Sequence, residues 1–168
     1  MTSVLRAWKH LWLDAHDARR KLGAHGLHRL EAAVRRSEAR HLGELRVCVE
    51  GGLPWSALWR GVDARQRAIA LFSDLRVWDT AHNNGVLIYL LLADQRIEVV
   101  ADRGVSARVP PDTWQRLADA LGTALRQGRT ESGLTAAIEA VGCLLHAHHP
   151  SAGDPPRHNE LPDAVVLL

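Results

Sequence analysis

Cysteine is scarce in this 168-residue chain: Cys48 and Cys143 lie far apart inside apolar runs and form no Cys-x-x-Cys pair. A zinc cage and a disulfide framework are therefore not expected, and a reducing, cytoplasmic setting is the simplest home. Long apolar runs are also missing. The longest, Gly85 to Ala93, is stopped by Asp94, short of the roughly 18 residues a membrane span needs. The first ten residues are interrupted by Arg6 and Lys9 with no small-residue cleavage site after them, so secretion is not expected either. Gly-x-Ser-x-Gly, the Walker loop, His-Glu-x-x-His and Gly-x-Gly-x-x-Gly are all absent. Neither cysteine has the downstream arginine of a cysteine-based phosphate-binding loop. Covalent nucleophilic catalysis thus has no support in the sequence.

What remains is an ordinary globular composition, with 46% hydrophobic and 24% charged residues and a net charge of +2. Such a length fits a single self-sufficient core. Charge is nevertheless uneven. Residues 1–43 carry nine Lys and Arg against four acids, a net +5, which leaves the remainder slightly acidic. Leu5, Trp8 and Trp12 share one helical face there, and Leu27, Leu30 and Val34 mark a second helix beyond the Gly23–Gly26 break. A basic, Trp-bearing helix within residues 1–22 could make peripheral contact with an anionic membrane or a partner, but packing on its own domain is the preferred reading. Arg19-Arg20-Lys21 has no interleaved aromatics and reads as a solvated face, so no nucleic-acid partner is expected.

Leu45, Val47 and Val49 alternate with Arg46 and Cys48, the period of a strand. Ala68, Leu71, Phe72 and Leu75 fall at helical spacing. Gly85-Val-Leu-Ile-Tyr-Leu-Leu-Leu92 is a continuous apolar run, as expected of a central strand covered on both faces. Only Ala93-Asp94-Gln95 separates it from Arg96 to Ala101, which predicts an antiparallel hairpin. Pro110-Pro111-Asp112 opens a helix striped with Trp114, Leu117, Leu121 and Leu125. A last helix starts near Thr130, carries Leu134, Ile138, Val141 and Leu145, and ends at His146-Ala-His-His-Pro150. The expected fold is an α/β/α sandwich with a small mixed sheet, preceded by N-terminal helices. Residues 1–26 form a basic extension, residues 27–150 the α/β domain, and residues 151–168 an irregular tail whose apolar end, Ala164 to Leu168, should dock on the body.

Short polar side chains concentrate just before the buried strand, at Asp79, Thr80, His82, Asn83 and Asn84, and again just after its partner, at Asp102 and Arg103. The hairpin brings these segments together, and Glu44, which opens a strand parallel to the one starting at Gly85, joins the same edge. Carboxylates and amide carbonyls are the ligands that Ca²⁺ and Mg²⁺ prefer, and an adjacent arginine can grip phosphate or carboxylate. The same residue types also build Asx turns, and Asp102 can simply pair with Arg103 or Arg108. Ligands of open α/β sheets more often bind at the carboxyl ends of strands, here the edge with Gly51, Asp94, Trp55 and Trp59. Of His146, His148 and His149, only the first and last share a helical face, which favours a solvated helix end over a metal site.

Gly43-Glu-Leu-Arg-Val, Ala68 to Leu75 with Val77-Trp-Asp-Thr, His82-Asn-Asn-Gly-Val-Leu-Ile-Tyr and Ile97-Glu-Val-Val-Ala-Asp-Arg-Gly together resemble the TPM domain family over residues 27–150. That family includes plant thylakoid lumen proteins associated with photosystem repair and many bacterial proteins encoded beside LemA-type membrane proteins. The resemblance implies an α/β sandwich, acid phosphatase activity in some relatives and Ca²⁺ binding in others. Carried over by position, the acidic and amide-rich edge falls on Asp79, Asn83, Asn84 and Asp102 as metal ligands, with Glu44 and Arg103 adjacent. The expected function is that of an accessory or interaction module for envelope or membrane-protein maintenance, with Ca²⁺ or Mg²⁺ bound and a LemA-like partner. The alternative is a metal-dependent phosphatase-like hydrolase. Many relatives carry a signal peptide or membrane anchor, whereas this sequence resembles the free-standing bacterial form.

Overall fold

A computed structural model describes His10, residues 13–151 and residues 159–168. The expected first helix with Leu5, Trp8 and Trp12 lies outside the described residues. Asp14 opens helix α1 (Ala15–Glu38) with a reciprocal capping box. Its carboxylate accepts from the amides of His16 and Asp17, and Asp17 accepts from the amide of Asp14. Gly23, at φ 68° and ψ 161°, leaves the helical region and kinks α1, so the break read in the sequence is a bend within one element.

Strand β1 (Glu44–Glu50) leads through a short helix α2 (Trp55–Trp59) into α3 (Ala64–Asp74), which Asp63 and Gln66 start with a second capping box. Strand β2 (Gly85–Leu91) is buried along its whole length, and β3 (Arg96–Ala101) pairs with it antiparallel, Val86 opposite Ala101 and Leu91 opposite Arg96. One turn of helix, α4 (Arg103–Ser106), precedes α5 (Pro111–Arg126) and α6 (Thr130–His148). The chain ends in β4 (Val166–Leu167), parallel to β1. The sheet order is β3-β2-β1-β4, and β1 runs parallel to β2 with Glu44 opposite Gly85. Val165 and Leu167 pack on the core, so the apolar C-terminal end docks by extending the sheet.

Period-two alternation sorts the sheet onto two cores. Leu45, Val47 and Val49 of β1 and Val86, Ile88 and Leu90 of β2 face α1, α5 and α6, meeting Leu30, Val34, Leu121, Ile138 and Leu145. Cys48, Leu87, Tyr89, Leu91 and Val100 face the other way, onto α2, α3, Val77 and Leu161. The architecture is the expected α/β/α sandwich with a mixed sheet. Gly85 is required at the start of β2, since a Cβ there would lie 1.9 Å from the Val77 carbonyl oxygen. The turn carrying Asp79 to Asn84 is thereby pressed against the sheet edge.

Candidate functional site

The structure brings the polar segments to one edge, where β1 and β2 begin and β3 ends. Thr80 is buried and fixes the turn: its carbonyl accepts from the amide of Asn83 and its hydroxyl from the amide of Asn84. Asn83 adopts φ 51°, a left-handed conformation that asparagine tolerates. Main-chain bonds then tie the turn to β3 and α4. The Gly85 carbonyl accepts from the amide of Asp102 at 2.9 Å, and the Asn83 carbonyl from the amide of Gly104 at 3.0 Å. Arg103 donates through Nε and Nη2 to Asn83 Oδ1 at 3.3 and 3.2 Å. Asp102 is the N-cap of α4, its Oδ1 accepting from the amide of Arg103 at 2.6 Å.

Two oxygens at this edge have no such partner. Asn84 is fully buried and its Nδ2 donates to the Leu42 carbonyl at 2.7 Å, which fixes the amide orientation and leaves Oδ1 buried without a hydrogen bond. Asp102 Oδ2 is likewise buried and unbonded. An orphaned buried acceptor costs about 1–3 kcal/mol, more when charged, so each of the two calls for a donor or a cation. Glu44 is fully buried, and its carboxylate accepts from the amides of Glu160 and Leu161 at 3.4 and 3.3 Å, drawing the C-terminal segment onto the edge. Asp79 is exposed on the same turn.

His149, at the C-cap of α6, borders this region: its carbonyl accepts from the amide of Leu42. Burial, then the Arg108 guanidinium beside it, holds its imidazole below the ordinary value of 6.5. His146 Nδ1 is within 2.7 Å of the Arg40 carbonyl. Among the described residues no three His, Cys, Asp or Glu side chains are grouped closely enough to share a metal ion.

The opposite edge holds a charged network that the sequence reading missed. Glu50, 2% exposed, receives Arg67 Nη2 at 2.7 Å, Arg67 Nε at 3.0 Å and the Tyr89 hydroxyl at 2.6 Å. With its oxygens so occupied, Glu50 anchors α3 to the sheet. The available signal was the strand period, which puts Glu50 on the face of Cys48 and Tyr89 rather than in solvent. Burial, then the neighbouring Glu50 carboxylate, pushes the Cys48 thiol up to about 12, which removes it as a nucleophile. Asp94, at the hairpin tip as expected, accepts from His10 at 3.0 Å, while His10 Nδ1 accepts from the amide of Leu53. Trp55 and Trp59 are exposed at this edge, their ring centroids 6.0 Å apart, beside Ser56 and Arg60.

The TPM domain family model matches residues 17–143, well over half of the sequence and including every strand of the hairpin and both polar segments. The chain belongs to the TPM domain family. Among solved structures, this TPM domain is similar to the BA42 protein of the psychrophilic bacterium Bizionia argentinensis, with 28% identity and a TM-score of 0.74 over 86% of this chain and 93% of that one. The N-terminal domain of a P. gingivalis protein shares the fold at 19% identity, with a TM-score of 0.62 over 82% of this chain and 83% of that one. So does the N-terminal domain of the cg2496 protein of Corynebacterium glutamicum, at 15% identity and a TM-score of 0.55 over 82% of each chain. No curated protein matches. No helix among the described residues is long and apolar enough to cross a membrane.

Proposed function

We propose that this TPM domain is an interaction module whose Asp79–Asn84–Asp102 edge takes up a divalent cation, Ca²⁺ or Mg²⁺, and presents it to a membrane-associated partner of the LemA-like kind. The observation that carries the reading is the pair of buried acceptors without donors, Asn84 Oδ1 and Asp102 Oδ2. Amide and carboxylate oxygens are the hard ligands these ions select, and the exposed carboxylate of Asp79 lies on the adjoining turn. Since no His, Cys, Asp and Glu trio is grouped there, amide and main-chain oxygens would complete the shell. A bound ion would supply positive charge at which a partner's carboxylate or phosphate can dock. Arg103, held by Asn83, adds a planar donor fork at the same rim.

The hydrolase alternative uses the same ion to neutralise a phosphate ester. Its nucleophile would be water activated by that ion, since Cys48 is buried with its thiol raised and Cys143 sits on α6, and no base is assigned to that water, whereas the module reading needs neither. The module reading is therefore preferred. Calorimetric titration of metal-stripped protein with Ca²⁺ and with Mg²⁺, repeated on Asp102→Asn and on the exposed Asp79→Asn, tests it beside a phosphate-ester hydrolysis assay. Saturable binding lost in Asp102→Asn, without turnover, is the expected result. Turnover lost with the ion supports the hydrolase, and absence of binding to either ion returns these residues to turn building.

A further inference from the structure

The longest helix of the second half, α6, begins without a cap. Arg129 occupies its N-cap position and no side chain accepts from the first-turn amides, so those of Thr130, Glu131 and Ser132 have no intrahelical acceptor. Their positive end opens into a cleft of about 1060 Å³ between α6 and α1. The α1 wall presents Lys21, His25, Arg29 and Arg36 at helical spacing, and Arg129 closes the cleft from the turn before α6. Four permanently cationic side chains thus face one carboxylate, Glu131, and Arg29 already neutralises it through Nε and Nη2 at 2.5 and 2.7 Å.

A second observation concerns a side chain rather than the main chain. Thr130 lines the cleft, is only 4% exposed, and its Oγ1 has no hydrogen-bond partner. The neighbouring hydroxyls of Ser132 and Thr135 do find acceptors, in the carbonyls of Arg129 and Glu131. The buried hydroxyl and the first-turn amides lack acceptors, and the cationic side chains around them outnumber the one carboxylate. They suit a tetrahedral oxyanion.

We propose that the cleft between α1 and the N-terminus of α6 is a binding site for a phosphate monoester, with Thr130 Oγ1 and the amides of Glu131 and Ser132 donating to its oxygens and Lys21 and Arg36 balancing its charge. The site is separate from the ion edge. The C-cap of α6 meets Leu42 at that edge, so the 19 residues of α6 set the two roughly 28 Å apart. A phosphate monoester can arrive as a soluble metabolite or as an exposed lipid headgroup, and the cleft's chemistry is the same for both.

Calorimetric titration with inorganic phosphate at low ionic strength tests the site, on the intact chain and on Thr130→Val, Arg36→Gln and Asp102→Asn. Arg36 is exposed, so its variant keeps the test valid if Thr130→Val folds poorly. The expected result is saturable binding, weakened about tenfold or more by Thr130→Val and Arg36→Gln, the factor for losing a hydrogen bond or ion pair to a charged group. Asp102→Asn should bind phosphate unchanged. Phosphatidic acid vesicles that capture the chain, with phosphatidylcholine vesicles failing to, assign the headgroup as ligand. Phosphate binding with no capture assigns a soluble ester. No saturable phosphate binding, equal binding in Thr130→Val and Arg36→Gln, or vesicle capture without phosphate binding each overturns the proposal.

Discussion

Replacing Arg67 by methionine removes the guanidinium from a carboxylate that cannot reach water. The Glu50 side chain is 2% exposed, against 20% for Arg67, and the pair is joined at 2.7 Å by Nη2 with Nε also donating. Breaking a buried pair by removing one partner costs about 3–5 kcal/mol, because the remaining charge is left uncompensated. At roughly 2–4 °C per kcal/mol for a domain of this size, melting should fall by about 6–20 °C. The reverse variant, Glu50→Gln, should cost less, since Arg67 is exposed enough to find water while Gln still accepts from Tyr89. Combining the two should recover part of the Arg67→Met loss, a non-additivity that a thermal and urea double-mutant cycle reads directly. A loss below about 1 kcal/mol in Arg67→Met, or simple additivity in the double variant, would refute the claim that this network carries a buried charge.

Asp102→Asn should melt close to the parent in chelator, because Asn still accepts from the Arg103 amide at the α4 cap. With Ca²⁺ at about a hundred times its dissociation constant, the parent should gain about 2.7 kcal/mol and the variant nothing, as scanning fluorimetry would record. His149 binds a proton less readily in the fold than its ordinary 6.5, so its contribution to stability is complete above that pH and lost as pH falls below it. Melting temperatures between neutral and acid pH should therefore slope upward with pH, and His149→Gln should flatten that slope. Exposed Cys143 should alkylate in the native state, while Cys48, buried with its thiol pushed up to about 12, should react only after unfolding, a difference peptide mass mapping resolves.

Elements long enough to show their period were legible from the residues. The unbroken run from Gly85 to Leu91 is β2, buried at every position, and the stripe from Leu134 to Leu145 is the core face of α6. The approach of Asp102 and Arg103 to Asn83 followed from the hairpin alone, and main-chain bonds to Asn83 and Gly85 now hold it. Elements of one turn or two residues, α2, α4 and β4, were not legible, because such short pieces owe their form to what they pack against. The same holds for contacts between distant segments. Glu50 finds Arg67 and Tyr89, and His10 finds Asp94, only once the sheet is assembled. The Thr130 cleft needs α1 laid along α6, which no local pattern announces.

The ion-binding edge is tested most directly by titrating Ca²⁺ into isotope-labelled, metal-stripped protein and following backbone amide resonances. Saturable shifts centred on Asn83 to Gly85 and Asp102 to Gly104, absent from Asp102→Asn, are predicted. Unchanged resonances at those positions, or shifts confined to other carboxylates such as the exposed Asp112 on α5, would contradict the account.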